Sequence, residues 1–426
     1  MTDDNSALGR SAKPHSLGEM RLSLDVFIHL FCFISLLLIG ADRWGIELLG
    51  VNFRVDQLFL CAFALLLVVK KAYRFTFNGW IAAFLFLSLI STLFAVSIMR
   101  GILFYCSIVY NVLFLFYALA SYVKCYGFAM FIRIFRMTMK VQFFILLFQF
   151  ALKLVTGYEF SFLPSYGEYM GIYRFQIWFY EPSYLATYLV LWFSFSFMQF
   201  LLEGRKEYLI DLLMCLAMFL MSTSTSGFIG IALTVGVVYL IWLARGITTK
   251  KLIFPVILLA IFLVLRIAFA SMFDVFIGRL FDSSLNEASG GRIDGWTETW
   301  KVFLENPFFG VGPGNYGLYL GQEAGYVPTN VSLELLATLG IGGFIAFYGL
   351  TASLFVRAVA LYRRERSESA FLIFAFAVAL ILFTVILQIN QGYLRLYHWM
   401  AFGVLAGALE RERMLRKYSL AEDINA

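Results

Sequence analysis

The chain divides into about a dozen unbroken apolar stretches, most near the ~20 residues that an α-helix needs to cross a bilayer. Hydrophobic residues make up 61% of the sequence and charged residues 14%, against about 25% charged in ordinary soluble domains. No soluble core absorbs that much apolar sequence, so the bilayer has to be the solvent. Backbone groups in hydrocarbon need partners within their own segment, which leaves helices and closed barrels. The stretches are continuously apolar and do not alternate in–out, so a membrane barrel is excluded.

The pattern predicts an all-α polytopic membrane protein with about twelve transmembrane helices. They are placed near 24–41, 56–71, 79–98, 102–122, 139–156, 183–202, 207–222, 226–243, 251–272, 331–356, 370–390 and 396–410. Residues 126–138, with Arg133 and Arg136, read as an interfacial amphipathic stretch. The organisation is then a polar tail over 1–23, nine spans over 24–273, a long connector with short helices over 274–330, three spans over 331–410, and a tail over 411–426. Most of the 33 basic residues fall in alternate connectors, among them Lys70, Lys71, Arg74, Lys124, Arg205, Lys206, Arg363 and Arg364. The positive-inside rule puts that side, and both termini, in the cytoplasm. The long connector then faces the periplasm.

The five cysteines have no CxxC spacing and the three histidines no ligand spacing, so neither a metal site nor a disulfide framework is expected. The net charge of +6 follows topology and is no nucleic-acid signature. No internal repeat is evident, which weighs mildly against transporters built from related halves.

Long connectors in compact proteins are usually functional or disordered, and this one is patterned. Arg292 opens a helical period with Trp296 and Trp300 on one face, ending before Pro307. Gly310-Val311-Gly312-Pro313-Gly314-Asn315-Tyr316 follows. It lacks the preceding strand and the Lys-Ser/Thr of a nucleotide loop, and reads as tight turns giving close backbone approach. Acids outnumber Arg279, Arg292 and Lys301 in the connector, so an anion site there has to use individually placed arginines.

Three other places on the same side carry chemistry. Arg174 lies seven residues before Glu181, which precedes Pro182 at a helix start; if that stretch is helical the two share a face. Arg holds a diphosphate bidentately, and Glu accepts a proton. The bland alternative is a structural Arg–Glu pair at a span mouth. Glu334 is ionisable and sits just inside a span, a functional candidate by default. Asn390 to His398 opens the last span and includes Arg395.

Gly291-Arg292, Trp296, Trp300, Asn306-Pro307, Gly310-Val311-Gly312, Tyr316 and Asn330 through Leu339-Gly340, together with Arg174 and Glu181-Pro182-Ser183, resemble the motifs of the O-antigen ligase and Wzy-type polymerase superfamily. The resemblance implies a glycosyltransferase fold of the GT-C type. It also implies an undecaprenyl-diphosphate-linked oligosaccharide donor, a lipid-linked acceptor, no metal or cofactor, and action at the outer face of the bacterial inner membrane. Ligases of this superfamily pass the glycan to lipid A-core, and polymerases pass it to the next lipid-linked repeat unit. In the ligases a His precedes the Asn of the post-loop motif; here that position is Thr329. The departure favours a polymerase of O-antigen, exopolysaccharide or capsule, with a chain-length co-polymerase as candidate partner.

On this reading Arg292 and Arg174 bind the diphosphate and stabilise its developing charge. Glu181 is the first choice of base, with Glu334 and His398 behind it. Arg395, Arg279, Asn330, Tyr316, Trp296, Trp300 and His398 form the expected substrate-binding set. A flippase or exporter of lipid-linked glycan is the rival class; it calls for charge through the membrane interior, where this sequence has little.

Overall fold

The computed structural model describes residues 24–48, 51–169, 172–268, 270, 292–323, 325–390 and 392–425. Each apolar stretch predicted as a span is occupied by a helix. These are α1 (Leu24–Leu37), α2 (Val55–Val69), α3 (Gly79–Leu93), α4 (Ile98–Tyr126), α5 (Phe128–Thr156), α6 (Pro182–Glu203), α7 (Glu207–Ser222), α8 (Thr225–Ala244) and α9 (Thr249–Ala268). After the long connector, which contributes α10 (Arg292–Glu305) and the short α11 (Tyr316–Tyr319), come α12 (Val331–Glu365), α13 (Glu368–Ile386) and α14 (Leu396–Asn425). Among the described residues, six helices are long and apolar enough to cross a membrane: α4, α5, α6, α8, α12, and α13 with its 3₁₀ extension to Ile389. The protein is a helical membrane protein.

Among the described residues, two small antiparallel hairpins interrupt the all-helical expectation. β1 (Gly45–Leu48) pairs with β2 (Val51–Arg54), and β3 (Glu168–Tyr169) pairs with β4 (Ile172–Tyr173). Both lie in connectors on the side predicted as outer.

The core is centred on α6 and α13, whose candidate membrane windows are each 83% buried inside the protein. α6 packs against α13, α8 and α7; α12 packs against α3, and α14 against α4. Gly403 and Gly407 of α14 meet the α4 backbone at Phe116 and Ala120, where a Cβ has no room. Facing that contact, α4 widens into a π-helical stretch over Asn111–Tyr117, and Asn111 donates to the Leu394 carbonyl (3.0 Å).

The expected interfacial stretch 126–138 is not separate from the span after it. Gly127 caps the preceding helix at φ 92°, and α5 then runs unbroken for 29 residues. Its buried Phe131, Phe135 and Thr138 face the protein, which a surface-lying helix could not do. The final tail is likewise helical as far as Asn425.

The bundle has two chemically different ends. At one, Lys70 pairs with Asp25, Lys124 with Glu410, Arg136 with Asp211, Arg205 with Glu368, Arg245 with Glu203 and Arg416 with Glu365. Every cation here belongs to a segment predicted as inner. The other end gathers the N-termini of α6, α12 and α14.

Candidate functional site

The hairpin β3–β4 explains how Arg174 is placed. The ladder continues past the strands: Tyr166 N donates to the Arg174 carbonyl (2.9 Å) and Arg174 N to the Gly167 carbonyl (3.3 Å). Tyr166 therefore stands across from Arg174, and the guanidinium lies 5.4 Å from the ring centroid. Arg174 Nε reaches the Ser222 carbonyl (3.5 Å), and Phe175 N reaches the Met221 carbonyl (3.1 Å), which fixes the hairpin to the end of α7. The stretch from Arg174 to Glu181 is not helical, so the shared-face argument does not apply. Instead Tyr166 joins the pair, because the Glu181 carboxylate lies near enough to act on its hydroxyl. Burial and then that carboxylate push the Tyr166 hydroxyl above its ordinary pKa.

Glu181 caps α6 with extended backbone, Pro182 occupies the first turn, and Ser183 Oγ donates to Glu181 Oε2 (2.9 Å). The carboxylate thus sits at the positive end of a 22-residue helix.

A second cluster adjoins the first. Arg395 stacks on the Tyr184 ring, 3.9 Å from its centroid, and its NH1 pairs with Asp42 Oδ2 (2.9 Å). The other Asp42 oxygen pairs with Arg54, whose Nε lies 3.3 Å from Asp56 Oδ1. The β1–β2 register, Gly45 opposite Arg54, is what returns Arg54 to Asp42. Burial opposes the Arg395 charge, but Asp42 together with Tyr184, Tyr397 and Glu334 more than offsets it and holds the guanidinium above its ordinary value. The two clusters are bound together: Arg43 donates to the Tyr180 carbonyl (3.0 Å), Trp44 to the Phe162 carbonyl (3.1 Å), and Trp44 packs on Trp178.

α12 contributes Glu334, 7% exposed, whose Oε2 accepts from Gly392 N (3.4 Å). Asn330 caps α12 through Leu333 N (3.0 Å) and donates to the Gln388 carbonyl (2.8 Å). Asn390 reaches Thr187 Oγ1 (3.1 Å) on α6. Glu334 and the Asn390–Arg395 connector, separate in the sequence, are therefore one assembly.

α10 runs from Arg292 to Glu305 and stops before Pro307, as its periodicity predicts, and packs along α12. The glycine turns that follow dock on a break in α12. Gly340 has φ 70° and ψ −175°, which interrupts the helix and exposes its backbone. Val311 N bonds to the Ala337 carbonyl (2.9 Å), Gly312 N to Thr338 (3.0 Å), and Ile341 N to Pro307 (2.9 Å). Arg100 at the start of α4 donates to the Gly314 carbonyl (2.6 Å), and Ser97 N to Asn315 Oδ1 (2.8 Å). The close backbone approach read from the glycines is what they do.

Several expected substrate contacts are placed elsewhere. Tyr316 is 1% exposed and its hydroxyl bonds to Thr299 on α10 (2.8 Å); burial pushes it up to about 12, so it is a packing strut within the connector. His398 is fully buried among Phe347, Phe383 and Phe402, with no partner at either ring nitrogen among the described residues, so the bundle interior has taken it from the surface. Trp300 is 46% exposed on α10, and Trp296 keeps its indole N–H buried there. Arg279 and Gly291 lie outside the described residues.

Sequence reasoning missed Asp42, Arg54, Tyr166, Tyr184 and Arg100. The available signal was an Asp at each end of the first outer connector, Asp42 and Asp56, with Arg54 between.

Residues 210–348 match the family model described as O-Antigen ligase, a stretch that begins in α7, ends inside α12 and takes in Arg292, Asn330 and Glu334. No curated protein matches the chain. That stretch, about a third of the chain, is thus similar to the O-antigen ligase family.

Proposed function

We propose that the protein is a membrane glycosyltransferase of the GT-C type that polymerises lipid-linked oligosaccharide repeat units at the periplasmic face of the bacterial inner membrane. Both termini are cytoplasmic in this reading. The observation that carries it is the meeting of Arg174 and Glu181 at Tyr166, beside Arg395 and Tyr184, at the end of the bundle where α6, α12 and α14 begin. Three helix N-termini and placed arginines suit a diphosphate. A carboxylate within the same cluster suits the proton of an acceptor hydroxyl.

The chemistry follows from where charge develops. As the glycosidic C1–O bond to the undecaprenyl diphosphate breaks, negative charge grows on the leaving oxygen. Arg174 and Arg292 take that charge; a preorganised cation there acts more strongly on the transition state than on the substrate. Glu181 receives the proton as the acceptor oxygen attacks the opposite face, giving inversion. Arg395, braced by Asp42 and Tyr184, holds the floor of the site. Glu334 positions the Gly392–Arg395 connector.

The ligase reading has one specific support, the matched family model itself; Thr329 in place of the ligase His supports the polymerase. Reconstitution with lipid-linked repeat units separates them. A ladder of lengthening products is expected, lost in Arg174→Ala and Glu181→Gln with protein level intact. Glycan appearing only on added lipid A-core would establish the ligase. Passage of lipid-linked glycan without any new glycosidic bond would overturn the enzyme reading.

A further inference from the structure

The second chemical feature of this molecule lies at the opposite end from the candidate site. α6 has Glu181 at its start and Gly204 after its end; 22 helical residues separate the two ends by about 33 Å. Beside the Gly204 turn is a cleft of roughly 440 Å³ between α5, the α6–α7 turn and the start of α13. Its charged lining is Arg133, Arg136, Lys140 and Arg205 against Glu207 and Glu368.

The four cations are not equivalent. Arg136 is committed to Asp211 (2.7 Å) and the Glu207 carbonyl (2.9 Å), and it stacks 4.5 Å from the Tyr208 ring centroid. Arg205 is committed to Glu368. Arg133 and Lys140 make no ion pair or hydrogen bond among the described residues. They stand seven apart on one face of α5 and frame the cleft.

The same face continues as an apolar stripe. Met137 is 58% exposed, Phe144 58% and Phe148 55%, so 133, 137, 140, 144 and 148 form one line. From Lys140 to Phe148 the helix rises about 12 Å, within the ~15 Å hydrocarbon depth of a single leaflet. Arg133 and Lys140 stand about 10 Å apart along the helix with Met137 between them, and the exposed Phe144 and Phe148 follow beyond Lys140, which matches the layout of a lipid: phosphate first, acyl chain after.

We propose that this cleft binds the headgroup phosphate of an anionic phospholipid, with an acyl chain lying along Met137, Phe144 and Phe148. Arg133 and Lys140 supply the unspent charge. Arg136 and Arg205, held by Asp211 and Glu368, shape the back of the cleft. Basic pockets between spans at a cytoplasmic surface take headgroups in this way, and free phosphate is the competing source of the same chemistry.

The test is a lipid titration followed by native mass spectrometry on the full-length protein in detergent, with phosphatidylglycerol, phosphatidylcholine and inorganic phosphate as separate probes. The wild type is expected to retain phosphatidylglycerol over phosphatidylcholine. The pair Arg133→Gln and Lys140→Gln should weaken retention roughly thirtyfold, since one basic side chain near a membrane surface contributes a factor of about five. Each single variant should show about fivefold, which keeps the test usable if the pair cannot be purified. Arg363→Gln with Arg364→Gln, exposed at the same end, should leave retention unchanged. Unaltered binding in the cleft variants, or an equal loss in the control pair, overturns the proposal. So does displacement of the lipid by an equal concentration of inorganic phosphate.

Discussion

Replacing Gly340 by alanine should undock the glycine-rich connector from α12. Two independent costs meet at this residue. Its φ of 70° lies in the left-handed region, where a side chain costs about 1–2 kcal/mol. The second cost is contact: an ideal Cβ would stand 2.8 Å from Phe309 N and closer still to the Phe308 carbonyl. Those are backbone atoms, so no side-chain rotation relieves the overlap. The connector has to retreat, and the bonds Val311 N to Ala337 O, Gly312 N to Thr338 O and Ile341 N to Pro307 O open with it. Three backbone hydrogen bonds at about 0.5–1.5 kcal/mol each, added to the conformational cost, give about 2.5–6.5 kcal/mol against the docked state.

Hydrogen exchange reads this directly. Protection at Val311, Gly312 and Ile341 should fall by two to three orders of magnitude or more, at about 1.4 kcal/mol per factor of ten, while amides of α6 and α13 keep theirs. The proposed polymerase activity should fall with it, because α10 and Arg292 are joined to α12 through this docking. Gly236→Ala is the control: a Cβ there meets nothing within 4 Å, and alanine should be neutral or stabilise α8 by up to about 1 kcal/mol. Unchanged protection in Gly340→Ala would refute the docking argument.

Three further outcomes are expected. Asp42→Ala leaves Arg54 and Arg395, 12% and 19% exposed, facing each other without their shared carboxylate; a loss of about 2–4 kcal/mol in thermal or denaturant unfolding is expected. His398→Leu removes a buried imidazole with both nitrogens unbonded, so stability should hold or rise by about 1–3 kcal/mol with activity retained; lost activity in a folded protein would restore a chemical role to His398. Glu159 accepts from Ser165 N (3.0 Å) and Oγ (2.8 Å), and those bonds hold its carboxylate below its ordinary value. A depressed carboxylate contributes stability above its unfolded pKa and loses it as pH falls through the folded one. Proteolysis of the 157–181 connector should therefore accelerate in acid, below about pH 4.3, and Glu159→Gln should remove that dependence.

The helices were legible because each is a single local fact, an apolar run of a given length. The α10 helix was legible for the same reason, as was the role of the glycines at 310, 312 and 314. What the sequence hid depends on pairing. Arg395 and Asp42 lie 353 residues apart, and nothing local to either marks the other. Arg133 and Arg136 were visible as a charged stretch, but a polar helix face cannot tell an interface-lying segment from the first turns of a span. The buried Phe131 and Phe135 decide it. His398 misled for the converse reason: a polar residue at a span end reads as exposed, whereas here Phe347, Phe383 and Phe402 close around it.

Asp42 sharpens what the candidate site needs from its arginines. A cation that grips an anion in the ground state as firmly as in the transition state accelerates nothing. Arg395 and Arg54 share Asp42, Arg54 also lies against Asp56, and Arg395 is stacked on Tyr184, so both are held in place and their charge is partly compensated before substrate arrives. Arg174 is fixed differently, by the Tyr166 ring face and the Ser222 carbonyl at its side chain and by the Gly167 carbonyl at its backbone N–H. In the proposed mechanism the Asp42 cluster supplies geometry and Arg174 meets the developing charge. Removing Asp42 should then cost substrate positioning and stability together, whereas Arg174→Lys, which keeps the charge but not the planar fork, should lower turnover while leaving the fold untouched.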